Sequence, residues 1–151
     1  MIFFPKSGNL KSEPLKKIFI MVTQTGPSLY LKWEGYYDYN EKSVEKYVLT
    51  DPVIPGVYKI ASLHHYGRLT PIYIGKASNL FFSLKAHLDP KKQNLCLKKE
   101  LKKRICCFKF AILFEEKERQ GALKALCLHY QPLCNDLEEI PEAETFKINF
   151  Q

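Results

Sequence analysis

With 151 residues, the chain is long enough to form one domain around a single hydrophobic core. Apolar residues make up 46% of the sequence and charged residues 26%, which excludes a chain that is disordered over most of its length. No run approaches the roughly 20 apolar residues of a membrane span, and the start lacks the pattern of a secretory signal. We therefore expect a cytoplasmic protein without a membrane partner.

Charge is distributed unevenly along the chain. The formal net charge is +7, and the segment from Lys85 to Arg104 alone carries eight basic residues against two acidic ones. Residues 136–151 carry five acids and one lysine, which predicts an acidic C-terminal tail. The five cysteines have no CxxC spacing, so we expect reduced thiols and neither a zinc ribbon nor a disulfide framework.

The first third of the chain predicts an arm followed by a β/α extension. Residues 1–16 are rich in Lys, Ser, Pro and Gly and predict a flexible N-terminal arm. Residues 17–52 form the extension. In it, KIFIMV and SLYLKW flank the turn TQTGP and predict a β-hairpin, and NEKSVEKYVL predicts a short helix with Asn40 as its N-cap.

Residues 53–135 predict a compact α+β domain. GVYKIASL and TPIYIGKA have the spacing of an antiparallel hairpin, and NLFFSLKAHL predicts a helix with Ser78 or Asn79 as its N-cap, ended by Pro90. LCLKKELKKRI predicts a second amphipathic helix with a lysine face, CCFKFAILF a strand, and KERQGALKALCLHY a last helix before Pro132. Helices therefore pack around a small antiparallel sheet.

Two short motifs stand about fifteen residues apart in this domain, GVY at 56–58 and YIG at 73–75. KASNL at 76–80 then leads directly into the predicted helix that carries His87. Together these features resemble the GIY-YIG nuclease superfamily over residues 53–135. The resemblance implies a small three-stranded antiparallel sheet flanked by helices, preceded here by the N-terminal β/α extension.

The resemblance also implies a catalytic cleft. Tyr58 and Tyr73 match the motif tyrosines that stand beside a phosphate, and His87 matches a histidine on the first helix. The family's arginine on that helix is replaced by Ser83, and its metal-binding glutamate on a later helix is replaced by Leu123. A guanidinium and a metal ion stabilise the charge that develops on a phosphoryl group, so we expect hydrolysis to be impaired or lost.

Binding of nucleic acid depends on many phosphate contacts and survives the loss of one arginine. We expect DNA, in preference to RNA, to contact a glycine, an asparagine and a set of cations: Gly75, Lys76, Asn79, Lys85, Lys98, Lys99, Lys102, Lys103 and Arg104. We expect no metal site and no cofactor; Mg²⁺ or Mn²⁺ would be needed only by an active enzyme.

Two alternatives to this binding function stay open. In the first, the chain is an active, divalent-metal-dependent endonuclease in which Lys76 and a carboxylate such as Glu118, or one from a partner chain, replace the missing groups. In the second, the cleft is vestigial, and the acidic tail or the aromatic-rich segment around Trp33 contacts a protein partner. The lysine-rich face would then be only a solvated helix surface.

Overall fold

The computed structural model describes residues 26–92 and 94–150, so the predicted arm and the first strand of the predicted N-terminal hairpin lie outside the described residues. The described part is an α+β fold, as predicted. Its strands and helices, in chain order, are β1 (Ser28–Leu29), β2 (Trp33–Asp38), α1 (Glu41–Tyr47), β3 (Gly56–Leu63), β4 (Leu69–Ala77), α2 (Leu80–Ala86), α3 (Leu95–Lys103), β5 (Cys106–Ile112), α4 (Glu116–Tyr130) and β6 (Lys147–Ile148).

The main sheet is antiparallel and has four strands in the order β2-β5-β3-β4. The three-stranded sheet expected from the sequence is not confirmed, because β2, from the predicted N-terminal extension, pairs with β5 from Trp33 opposite Ala111 to Asp38 opposite Cys107. A second, two-stranded sheet joins β1 and β6 in parallel. Pairing of β1 and β6 attaches both ends of the described chain to the same region of the fold.

Both faces of the main sheet are covered by helices. On one face, α1, α2 and α3 bury Val44, Leu84 and Leu97 against side chains such as Phe108. On the other face, α4 packs on a second apolar cluster that contains Val57, Ile74, Ala111, Ala122 and Leu126. Coverage on both faces explains why β3 and β5 are almost entirely buried and why neither sequence alternates between apolar and polar residues.

Three helices begin at an asparagine whose side chain caps the first turn. Asn40 Oδ1 accepts from the backbone N–H of Ser43 at 2.8 Å, which confirms the predicted cap of α1. For α2 the cap is Asn79, whose Oδ1 accepts from the N–H of Phe82 at 3.0 Å. Asn94 caps α3 in the same way. Each cap satisfies a backbone donor that a helix start leaves without an intrahelical partner.

The face of the sheet that α4 covers also contains two buried lysines. The Nζ atoms of Lys59 and Lys109 lie 5.0 and 5.4 Å from the ring centroid of Trp33, and Lys109 Nζ lies 4.6 Å from that of Tyr36. Such contacts let aromatic rings replace part of the hydration of an ammonium group. Burial, and secondarily the charge of Lys109, still lowers the pKa of Lys59 to about 7.

The segment after α4, predicted as an acidic tail, contributes to the core. Phe146 and Ile148 are buried there, and the Phe146 ring lies against α4, where a Cβ on Gly121 would come within 2.4 Å of it.

The expectation of reduced thiols alone is wrong, because Cys96 and Cys134 form a disulfide. These cysteines are 38 residues apart, and folding brings the start of α3 beside the loop after α4.

The remaining cysteines, Cys106, Cys107 and Cys127, are thiols; Cys106 and Cys127 are buried, and Cys107 is partly exposed. Within residues 26–92 and 94–150, no helix has the length and apolar character needed to cross a membrane.

Candidate functional site

The structure brings the three predicted catalytic side chains together. Strands β3 and β4 are adjacent, with Tyr58 opposite Gly75 and Ile60 opposite Tyr73. The Tyr58 hydroxyl lies 2.7 Å from Nε2 of His87, which is the C-cap residue of α2. The ring centroids of Tyr73 and His87 are 4.8 Å apart, and those of the two tyrosines are 6.2 Å apart. We call Tyr58, Tyr73 and His87 the tyrosine–histidine cluster.

Gly75 makes room for this cluster. An added Cβ at this position would lie 2.4 Å from both Cζ and the hydroxyl oxygen of Tyr58. The sequence predicted that Gly75 contacts nucleic acid; in the structure, the group that approaches Gly75 is the Tyr58 ring. The glycine of the second motif is therefore required by the tyrosine of the first.

Burial keeps the cluster uncharged near neutral pH. Loss of hydration raises the pKa of Tyr58 well above its usual value, and it also raises the pKa of Tyr73, although a hydrogen bond with Tyr58 works against the second shift. The same loss of hydration lowers the pKa of His87. A neutral imidazole can accept a proton, and neutral phenols can donate hydrogen bonds to a phosphate oxygen, but neither supplies a fixed positive charge.

A pocket of about 460 Å³ opens beside Tyr73. Its wall includes Gly75, Lys76 and Leu123, so the position that the resemblance gives to a metal-binding glutamate lines the same pocket as Tyr73, but with an apolar side chain that packs against the cluster on the α4 face. Ser83 lies in α2, one turn before His87, and is not among the described residues that line this pocket.

Lys76, which was considered as a replacement for the missing arginine, is already paired. Its Nζ donates to Oε2 of Glu116 at 2.8 Å. Hydrogen bonds from Lys76, Arg119 and Gln120 together lower the pKa of the Glu116 carboxyl, which favours its ionised form. Glu118, the carboxylate of the enzyme alternative, does not contribute to the described wall of the pocket.

The other residues predicted to bind nucleic acid divide into two groups. Asn79 and Lys85 have structural partners: Asn79 caps α2, and Lys85 Nζ contacts Glu45 at 2.6 Å and Glu41 at 3.5 Å on α1. The second group is the basic face of α3 and its C-cap, which we define as Lys98, Lys99, Lys102, Lys103 and Arg104.

Within this basic face, the partners are few. Lys98 Nζ donates to the backbone oxygen of Pro90, and Glu100 lies 3.6 Å from both Lys103 Nζ and Arg104 Nε. Lys99 and Lys102 are exposed and form no ion pair with any described residue. The face therefore presents an excess of positive charge to solvent.

Sequence reasoning missed several polar groups of the pocket wall, namely Asn94, Asn135, Asp136 and Glu139. Asn135 is the most informative of these, because its amide accepts from Ile74 N at 2.8 Å and donates to Ile74 O at 2.8 Å. Nothing in the local sequence signals a contact 61 residues away. Among the described residues, no group of three or more His, Cys, Asp and Glu side chains is arranged to hold a metal ion.

Comparison with known proteins adds no relative. No family model matches the chain, and neither a curated protein nor a solved structure matches it.

Proposed function

We propose that this chain binds the phosphodiester backbone of nucleic acid, DNA in preference to RNA, on a GIY-YIG-like scaffold that hydrolyses it poorly or not at all. One observation carries the proposal. Leu123 lies in the pocket wall at the position expected of a metal-binding glutamate, while Tyr58, Tyr73 and His87 keep their mutual contacts.

The chemistry of the cleft supports poor hydrolysis. A charge-stabilising donor contributes about 3 kcal/mol of transition-state stabilisation. A metal ion that stabilises the negative charge on the leaving oxygen contributes several kcal/mol more. Here Lys76, the cation in the described pocket wall, already pairs with Glu116, and the tyrosine–histidine cluster is uncharged. Tyr73, the cluster residue that lines the described pocket, can donate to a phosphate, but the cluster offers little to stabilise the charge that forms as a phosphodiester breaks.

The surface chemistry supports binding. The basic face of α3 adds distributed positive charge that does not depend on the cleft, and Lys99 and Lys102 are exposed there. Each phosphate neutralised by a lysine releases condensed counterions, so affinity from such a face falls steeply with salt. Nucleic-acid binding by α3 and catalysis in the cleft are thus separable properties.

Hydrolysis is tested by incubating supercoiled plasmid with the protein and Mg²⁺ or Mn²⁺. We expect no nicking beyond that of the Tyr73→Phe and His87→Ala variants. Metal-dependent nicking that disappears in these two variants would establish the enzyme alternative instead.

The double variant Ser83→Arg, Leu123→Glu restores the two missing groups, and we expect it to nick plasmid in a manner that Tyr73→Phe abolishes.

Binding is tested by titrating labelled DNA and RNA of one sequence at several salt concentrations. Reversing two charges with Lys99→Glu and Lys102→Glu should weaken binding and flatten its salt dependence. Lys117→Glu in α4, on the opposite side of the sheet, is the control for a local charge reversal and should have little effect. If the affinity for DNA changes neither with salt concentration nor on reversing the charges of Lys99 and Lys102, the proposal is contradicted.

The two alternatives are less well supported. An enzyme that relies on Lys76 and Glu118 would have to break the Lys76–Glu116 pair and recruit a carboxylate from outside the pocket wall. A protein-interaction function is favoured only if the chain fails to bind nucleic acid and a cellular protein is captured through the acidic segment. The cytoplasmic location remains a prediction of the sequence.

A further inference from the structure

The loop between β3 and β4 presents an aromatic ring to solvent in an unusual way. A short 3-10 turn, His65–Gly67, forms the tip of this hairpin. Tyr66 has φ +65° and ψ +23°, a left-handed conformation that is sterically disfavoured for a residue with a side chain. Its relative exposure is 105%, so the ring gains nothing from packing within the described chain. Strain of this kind persists where the surrounding structure imposes it, and it often marks a functional position.

The base of this hairpin is firmly held. His64 N donates to the backbone oxygen of Arg68 at 2.7 Å, which closes the loop. Leu63 N donates to the oxygen of Ile105 at 2.8 Å, which ties the hairpin to the segment between α3 and β5. The Ser62 hydroxyl and His64 Nε2 are 3.0 Å apart. The exposed ring therefore stands on a fixed stem beside the C-terminal end of the basic face.

Cations and apolar side chains surround this stem. Loss of hydration lowers the pKa of His64, and the nearby charges of Arg104 and Arg68 lower it further, against a smaller opposing effect of Glu100. Glu100 is buried and shared between Arg104 and Lys103, so it does not face the solvent beside the tip. The side chain of Ile105, in the same segment, is 66% exposed. A large apolar side chain at such a position is usually covered.

We propose that the hairpin tip and the C-terminal end of α3 form one site for single-stranded nucleic acid, in which Tyr66 stacks on an unpaired base while Arg68, Lys103 and Arg104 contact the flanking phosphates. The inference rests on the proposed function and names its preferred substrate class. Every nucleobase has a π-face, so an exposed ring next to guanidinium groups binds unpaired bases without reading their sequence. In a duplex the same faces are covered by neighbouring base pairs, and the ring has no partner.

The charge pattern decides against a protein as the occupant of this site. The tip and the end of α3 combine an aromatic ring and an exposed isoleucine with three cations. Two acids lie near the end of α3: Glu100, which is already paired, and Asp38, which lines a pocket with Arg104 and Ile105. A ligand that contacts both the apolar side chains and the cations needs planar apolar groups connected by a backbone with regularly repeated negative charges. Single-stranded nucleic acid has this chemistry.

The test uses the full chain and compares a labelled oligonucleotide of about 12 thymidines with a duplex of the same length at equal salt. We expect tighter binding of the single strand. Tyr66→Ala should weaken single-strand affinity about tenfold, leave duplex affinity unchanged and leave the melting temperature nearly unchanged, because the ring has no packing to lose. Tyr66→Phe keeps the π-face and should bind as the unaltered chain does.

A direct readout of stacking comes from Tyr66→Trp. Its fluorescence should be quenched by oligothymidine and not by the duplex, whereas the emission of the unaltered chain, which comes from the half-buried Trp33, should change little. Equal affinity of Tyr66→Ala and the unaltered chain for the single strand, with salt dependence intact, overturns the inference and leaves the proposed function standing. Failure to bind either nucleic acid overturns both.

Discussion

Position 75 has no room for a side chain, and this fixes the geometry of the site at the scale of single residues. The Tyr58 ring occupies the space above Gly75, and its hydroxyl reaches His87 from there. Tyr58 is 3% exposed, so the ring has no route into solvent if it is displaced. The tyrosine, the glycine and the histidine therefore depend on one another through shape as well as through a hydrogen bond.

Gly75→Ala should destabilise the fold by about 2 kcal/mol, because overpacking of a buried site forces a shift of the ring or of the strands. Urea unfolding measures this loss, and the imidazole resonances of His87 should move as its bond to Tyr58 lengthens. Combining Gly75→Ala with Tyr58→Leu removes the obstructing ring. In that background the added methyl group should cost much less; an equal cost in both backgrounds would mean that the ring is not the obstacle.

At the scale of elements, two asparagine side chains make backbone hydrogen bonds of the kind that a neighbouring strand would make. Asn135 makes both backbone hydrogen bonds of Ile74 at the outer edge of β4, and Asn149 makes the equivalent pair with Leu31, at 2.7 and 2.8 Å. An edge strand leaves backbone groups unpaired, and an amide with one donor and one acceptor satisfies a pair of them. Asn135 thereby holds the loop after α4 against β4, beside Tyr73 of the tyrosine–histidine cluster.

Asn135→Leu should cost about 2 kcal/mol of unfolding free energy, since two backbone groups lose their partners. It should also shift the resonances of Tyr73, the residue before Ile74. Asn149→Leu removes the same two bonds at Leu31 and is a matched control: a similar loss of stability is expected, with Tyr73 unchanged. If both variants disturb Tyr73 equally, the local role assigned to Asn135 is wrong.

The disulfide between Cys96 and Cys134 joins α3 to this same loop. Closing a loop with a sequence separation of 38 residues should contribute about 4 kcal/mol by restricting the unfolded chain. Reductant should therefore lower the urea midpoint of the unaltered chain, and mass spectrometry should register the gain of two hydrogens. The Cys96→Ser, Cys134→Ser variant should be insensitive to reductant. If reductant does not change the urea midpoint of the unaltered chain, the assignment of this disulfide is contradicted.

Local patterns in the sequence predicted the elements better than the contacts between them. The asparagine caps, the apolar spacing of α2 and the β-branched and aromatic run of β5 are encoded within a few residues, and each element formed where it was expected. The fourth strand was missed because WEGYYD neither alternates nor forms an apolar run, and its pairing with β5 joins segments more than 60 residues apart. The disulfide and the Asn135 contact are long-range in the same way.

The candidate site was predictable where a motif fixed it. Tyr58, Tyr73 and His87 meet as expected, because adjacent strands and the following helix leave little freedom. The pairing of Lys76 with Glu116 was not predictable, since it depends on how α4 crosses β4. Charges read from the sequence alone therefore overstated how much positive charge faces the pocket.

At the scale of the whole molecule, the buried lysines on the α4 face of the sheet make stability depend on pH. Burial holds the pKa of Lys59 near 7, against 10.5 for an exposed lysine. Between these values the unfolded chain binds more protons than the folded chain, so the free energy of unfolding rises with pH. The buried thiols of Cys106 and Cys127 act in the opposite direction, because their pKa values are raised from 9.0 to about 11 and about 12, but they do so only as the pH approaches 9.

From about pH 7 to about pH 8.5, Lys59 should raise stability by roughly 2 kcal/mol, and Lys109, whose pKa burial also lowers, acts in the same direction. Urea unfolding at constant ionic strength across this window measures the slope. Lys59→Met removes the titrating group and should flatten the profile, whereas Lys99→Met, at an exposed position of α3, should leave the slope as it is. A flat or falling profile in the unaltered chain would mean that the Lys59 ammonium keeps its proton inside the fold.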